Sequence, residues 1–161
     1  MNYSQFYAKR YSEAFVRRGA EHYPAFERLR EMLPNLPVHI VDRREDIPPE
    51  KRNQRSLYLT EARGALLGRC PGSRGHLCCN YLTIELYTGC DLGCSYCIMK
   101  DYLNFSPMSV TVNTIPGIDQ LRDIARGNSD RVIRIGTGEL GDSLLLDPLF
   151  RLSEEYLEAM S

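Results

Sequence analysis

Three cysteines, Cys90, Cys94 and Cys97, follow one another in the spacing C-x3-C-x2-C directly behind an apolar run over 81–87. Gly89 and Gly93 are set among them, and glycine is the residue that lets a backbone turn sharply or approach a bound group closely. The segment is therefore a tight loop at the end of a strand, and the rest of the fold has to present it. Three thiolates this close suit a cubane [4Fe–4S] cluster, which normally takes four; a set of three leaves one iron open to a small molecule. The rival occupant is a structural zinc, which takes tetrahedral sulfur and nitrogen ligands, with His76, Cys78 or Cys79 as the fourth.

The flanking pattern says what kind of fold carries the loop. The run over 81–87 predicts a strand, and a short helix is expected over 96–102. A strand over 110–113 precedes a helix with Ile118, Leu121, Ile124 and Ala125 on one face, ended by Gly127-Asn128. A strand over 132–135 follows, and Asp147-Pro148 opens a last helix through Leu149, Leu152, Tyr156 and Leu157, with Asp147 as its N-cap. Three strand–helix pairs in succession imply an α/β fold of parallel strands with helices packed outside. Upstream, strands at 14–16 and 38–41 bracket a helix opened at Pro24 with Phe26, Leu29, Met32 and Leu33 on one face. A further strand is expected over 56–60. Parallel folds place their chemistry behind the C-terminal ends of strands. The cysteine loop and Gly136-Thr137-Gly138-Glu139 are thus expected on one face of the sheet, one strand apart.

Composition narrows the setting. No stretch approaches the roughly 18 apolar residues that span a bilayer, and the first residues lack a basic-then-apolar leader pattern. A cytoplasmic protein with no membrane is the expectation, where six cysteines point to metal or catalysis before disulfides. Residues 43–74 carry eight basic against four acidic side chains, a net of +4 in a chain of net −1. That segment is either a phosphate-facing surface or a solvated face. Cys70, Cys78 and Cys79 are open to a second metal site, a redox pair or packing, and His22, His39 and His76 show no partner spacing.

The cysteine loop, with aromatic Tyr96 before its last cysteine, resembles the signature of radical S-adenosylmethionine enzymes. Together with Cys70-Pro71-Gly72, Cys78-Cys79 and the stretch over 134–147, it resembles the spore photoproduct lyase-like family of that superfamily. The resemblance implies that Cys90, Cys94 and Cys97 ligate a [4Fe–4S] cluster whose open iron chelates S-adenosyl-L-methionine. It implies further that Tyr96 lies beside the adenine, that Thr137, Gly138 and Glu139 hold the methionyl amine, and that a 5′-deoxyadenosyl radical then abstracts hydrogen from substrate. The family suggests a nucleic acid substrate and an electron donor such as flavodoxin or ferredoxin.

Three departures from the family accompany the likeness. Glu139 stands where the lyase has its hydrogen-returning cysteine, Ile98 stands where it has a tyrosine, and the chain is long enough for about three of six strand–helix units. The expected architecture is the N-terminal half of a partial (βα)6 TIM-like barrel, over 56–161, preceded by a small β-α-β unit and linker over 1–55. A chain of this kind is expected to be a truncated piece with little activity alone, with a second polypeptide as one way to complete the barrel. The alternative is a non-catalytic iron–sulfur or zinc-binding interaction module.

Overall fold

A computed structural model describes residues 2–70, 75 and 81–160; Cys78, Cys79 and His76 lie outside the described residues. The chain opens with helix α1 (Tyr3–Arg10), capped by the Asn2 side chain, which accepts from the Gln5 N–H at 3.2 Å, and finished by Lys9 and Arg10 in its last turn. The mixed aromatic and charged pattern of this stretch had suggested no helix. Strand β1 (Glu13–Arg17), helix α2 (Pro24–Met32) and strand β2 (Val38–Val41) follow as expected, with Pro24 in the first turn. Strands β3 (Ser56–Thr60), β4 (Leu67–Arg69), β5 (Leu82–Ile84) and β6 (Tyr87–Thr88) lead to the cysteine loop. Beyond it come α3 (Met99–Tyr102), β7 (Met108–Thr111), α4 (Ile115–Arg126), β8 (Ile135–Gly136), α5 (Asp147–Phe150) and α6 (Leu152–Met160).

The strands form two sheets. The larger runs in the order β2-β1-β3-β7-β6, parallel throughout except for the β6–β7 pair; the smaller runs β4-β5-β8, with β4–β5 antiparallel and β5–β8 parallel. Strands β1 and β3 are buried on both faces, as parallel strands are when both faces are covered. Alternation divides them cleanly. Ala14, Val16, Leu57 and Leu59 enter the main core with Leu29, Val110, Leu149 and Phe150, while Phe15 and Tyr58 join Ile47 in a smaller cluster on the opposite face. Glu13 is buried too, and it is held by Lys51 Nζ at 2.8 Å and His39 Nε2 at 3.4 Å.

The structure corrects the expected elements in three places. The strand over 81–87 is two strands in two different sheets, broken at Glu85. There the Leu86 N–H donates to the Ile84 carbonyl at 3.2 Å, and the Leu86 carbonyl accepts from Thr111 of the other sheet at 2.9 Å. Apolar residues on both sides of Glu85 hide this change of sheet, because Ile84 and Leu86 are each buried in their own setting. The strand expected over 132–135 shrinks to Ile135–Gly136, with Val132 92% exposed. The last helix is broken at Arg151, whose φ of 56° is left-handed. Asp147 does cap a helix, but it is α6: its carboxylate accepts from the Ser153 N–H at 3.0 Å and from the Tyr87 hydroxyl at 2.8 Å.

Candidate functional site

The cysteine loop leaves β6 through Gly89 (φ 96°) and turns again at Gly93 (φ 74°). Both angles lie in the left-handed region that favours glycine. A Cβ at Gly89 would also press on the Met108 sulfur at 3.3 Å and the Pro107 carbonyl at 3.6 Å. Within the loop the Cys97 N–H donates to the Cys94 carbonyl at 3.3 Å. Cys90, Cys94 and Cys97 are all free and half-buried. Burial pushes the Cys90 thiol up from its ordinary value, and the Asp142 and Asp91 carboxylates push it further. A bound cation reverses that balance, since a coordinating thiol is deprotonated outright.

Two residues from far upstream hold this loop, and no local pattern marks either. Arg10 of α1 binds Asp91 with Nε at 2.5 Å from Oδ2, and a second guanidinium N–H donates to the Asp91 carbonyl at 2.9 Å. Asp91 is only 9% exposed. Gln54 donates to the Cys90 carbonyl at 3.1 Å. The loop thus rests on the N-terminal elements as well as on its own strand.

The second expected stretch ends a strand of the smaller sheet rather than standing one strand away in the same sheet as the cysteine loop, but its continuation at Gly141 reaches that loop. Gly89 and Gly141 form a parallel bridge, the Gly89 N–H donating to the Leu140 carbonyl at 2.9 Å. A Cβ at Gly141 would sit 2.5 Å from the Gly89 carbonyl oxygen, so the approach requires glycine. Gly136, Thr137, Gly138 and Glu139 line a cavity of about 450 Å³ with Cys70, Tyr81, Thr83 and Ser143. Methyl groups at Gly136 and Gly138 would run into the Tyr81 hydroxyl and the Ser143 hydroxyl respectively. Cys70, which the sequence leaves open to a second metal site, a redox pair or packing, belongs to this cavity wall. Glu85, at the strand break, is hydrogen-bonded to Glu139; burial first, and the Glu139 carboxylate second, push the Glu85 carboxyl up to about 7. Glu85 Oε2 is buried without a hydrogen-bond partner among the described residues.

Not every expected residue is gathered. Tyr96 is 88% exposed and Ile98 72%. Among the described residues no group of three or more Cys, His, Asp or Glu side chains stands at metal-holding distances. The donor set nonetheless has the right chemistry: three free thiols on one loop whose left-handed glycines turn it back on itself, with none of the three committed elsewhere. Metal sites of thiolate ligands commonly assemble as the metal binds.

Fold and site together define an α/β protein of mainly parallel strands with a thiol-bearing loop at a strand end and a glycine-rich strand end beside it. That fold is shared with spore photoproduct lyase. The structure of a spore photoproduct lyase complexed with dinucleoside spore photoproduct matches at a TM-score of 0.75 and 19% identity, over 92% of this chain and 46% of that one. A doubly substituted spore photoproduct lyase with bound AdoMet and dinucleoside spore photoproduct matches at 0.75 and 18% identity over the same shares. The chain thus spans about half the length of the solved structures it matches. No protein-family model and no curated protein matches the chain, and no helix among the described residues is long and apolar enough to cross a membrane.

Proposed function

We propose that this chain is the cluster-bearing part of a radical S-adenosylmethionine enzyme of the spore photoproduct lyase type, acting on nucleic acid. The observation that carries the reading is the Gly89–Gly141 bridge, which sets a three-cysteine loop against the cavity walled by residues 136–139. In this reading Cys90, Cys94 and Cys97 hold a [4Fe–4S] cluster, and Thr137, Gly138 and Glu139 receive the amino group of S-adenosylmethionine, with Tyr96 at the adenine. When bound, the cluster and its cofactor supply a hydrogen-abstracting radical, and the chemistry is theirs rather than the protein's. The chain's own work is placement. Arg10 and Gln54 fix the loop, Gly136 and Gly138 let the Tyr81 and Ser143 side chains pack closely into the cavity wall, and the Glu85–Glu139 pair offers an ammonium an acceptor site. The bound ligands of the two matched lyases support both the cofactor and the substrate class.

The remaining elements of the reading follow from it: a cytoplasmic setting, a reducing partner of flavodoxin or ferredoxin type, and a division at residue 55 between the leading β-α-β unit and the barrel portion. Turnover needs the other half of the barrel, from further chain or from a second polypeptide. The test is electron paramagnetic resonance of the reduced, iron-loaded chain with and without S-adenosylmethionine. A changed spectrum on addition, lost in Gly138→Val, is the expected result. An unchanged spectrum in a chain that holds its iron overturns the cofactor assignment and favours a non-catalytic metal-binding module.

A further inference from the structure

The larger sheet carries a second open site on the face away from the main core. There a groove of about 670 Å³ runs from the C-terminal end of β1, past that of β3, to Thr88 at the end of β6, one residue before the cysteine loop begins. Four arginines line it, Arg17, Arg43, Arg44 and Arg63, against two carboxylates, Glu45 and Glu61. The carboxylates are already engaged: Glu61 stands 3.9 Å from Arg17, and Glu45 accepts from Arg44 at 2.9 Å. Arg43 and Arg63 are both exposed, and their guanidinium groups have no ion-pair partner among the described residues. The groove therefore offers two guanidinium groups outside any close ion pair, Arg43 with the Asp42 and Glu45 carboxylates in its electrostatic neighbourhood; guanidinium groups match phosphate geometry and are weakly hydrated.

Rings accompany the charges. Phe105 is held edge-on by buried Tyr58, at 5.5 Å and 73° between planes, and the Arg44 guanidinium lies over it at 5.7 Å. Tyr102, on the short helix behind the last loop cysteine, lines the same groove and is 64% exposed. Guanidinium groups for a backbone and rings for unstacked bases are the two components of single-strand recognition.

We propose that this groove binds single-stranded nucleic acid, with phosphates on Arg43 and Arg63 and a base on Tyr102 and Phe105, and so leads a strand toward the cysteine loop. The proposal rests on the reading that the chain works on nucleic acid, but its site lies outside the cofactor cavity and needs no cluster.

Fluorescence anisotropy of a fluorescein-labelled dodecathymidylate, titrated with the iron-free full chain over a range of salt, tests it. The native chain should bind with affinity that falls as salt rises. Arg43→Ala/Arg63→Ala should weaken binding by about tenfold or more and make the log–log salt dependence shallower by roughly 1.4, the share of two single-strand phosphates. Tyr102→Ala should weaken it by at least about fivefold with the slope unchanged. All three side chains are exposed, and circular dichroism confirms each variant's fold. Arg126→Ala, on exposed α4 surface, should bind as the native chain does. The proposal is overturned if the double variant binds like the native chain, if Arg126→Ala weakens binding equally, or if thymidine monophosphate competes as well as the unlabelled oligomer. Absence of binding also overturns it while leaving iron loading of the cysteine loop as a separate result.

Discussion

Two arginine–aspartate pairs of similar geometry differ in what they hold. Arg18–Asp42, at 2.7 Å, has both side chains about two-thirds exposed, where water and salt screen the charges and such pairs contribute little. Arg10–Asp91, at 2.5 Å, leaves Asp91 only 9% exposed, and Asp91 Oδ1 already lacks a hydrogen-bond partner among the described residues. Removing Arg10 strands a nearly buried carboxylate. Arg10→Ala should therefore cost about 1–3 kcal/mol and lower the urea midpoint, whereas Arg18→Ala should leave it unchanged. Equal midpoints for the two variants would show that Arg10 does not anchor the loop. Glu85 makes a pH prediction. Its folded value of about 7 lies above the ordinary 4.5, so the folded chain binds the extra proton between them. The stability this lends is present below about pH 4.5 and lost as pH rises through 7. Because the group is half-buried, water screening reduces the effect to the order of 1 kcal/mol. Glu85→Gln should flatten the dependence and stabilise the chain at about pH 8, as urea midpoints at about pH 5 and 8 will read.

At the scale of elements, the site depends on one close backbone contact between the cysteine loop and the segment that follows β8. The Gly89 N–H to Leu140 carbonyl bond and the 2.5 Å clearance at Gly141 leave no space for a methyl group. Because the blocking atom is backbone, the loops must separate to admit one. Gly141→Ala should cost about 1–3 kcal/mol, as overpacking does, and should reduce iron uptake more than Gly127→Ala, where the nearest atom to a Cβ is 3.5 Å away. Iron content of the two variants after equal loading checks this. The left-handed residue between α5 and α6 makes the opposite case. Arg151 has the conformation glycine adopts without strain, so Arg151→Gly should not lower the thermal midpoint despite losing its contact with Glu154.

For the whole molecule, the sequence was most informative where period and punctuation agree. Pro24 with apolar residues at helical spacing marks α2, and the bounded runs at 38–41 and 56–60 mark β2 and β3. The cysteine spacing and the Gly-Thr-Gly-Glu turn were both legible as chemistry, and the fold does bring their neighbourhoods together. What stayed hidden depends on long-range pairing. No local pattern says that β5 and β6 enter different sheets, that α1 reaches Asp91, or that Cys70 and Glu85 stand beside Glu139. Val132 was read as strand from its type, but tertiary context leaves it in solvent. Residues 43–74, whose basic excess admitted two readings, supply Arg43, Arg44 and Arg63 to one groove.

In the proposed function Cys90, Cys94 and Cys97 together hold an iron–sulfur cluster. Anaerobic loading with iron and sulfide, followed by metal and sulfide counting per chain, tests it most directly. The native chain should hold about four irons and as many sulfides, and each of Cys90→Ala, Cys94→Ala and Cys97→Ala should lose most of that iron. A single zinc per chain, or iron that survives all three substitutions, would contradict it.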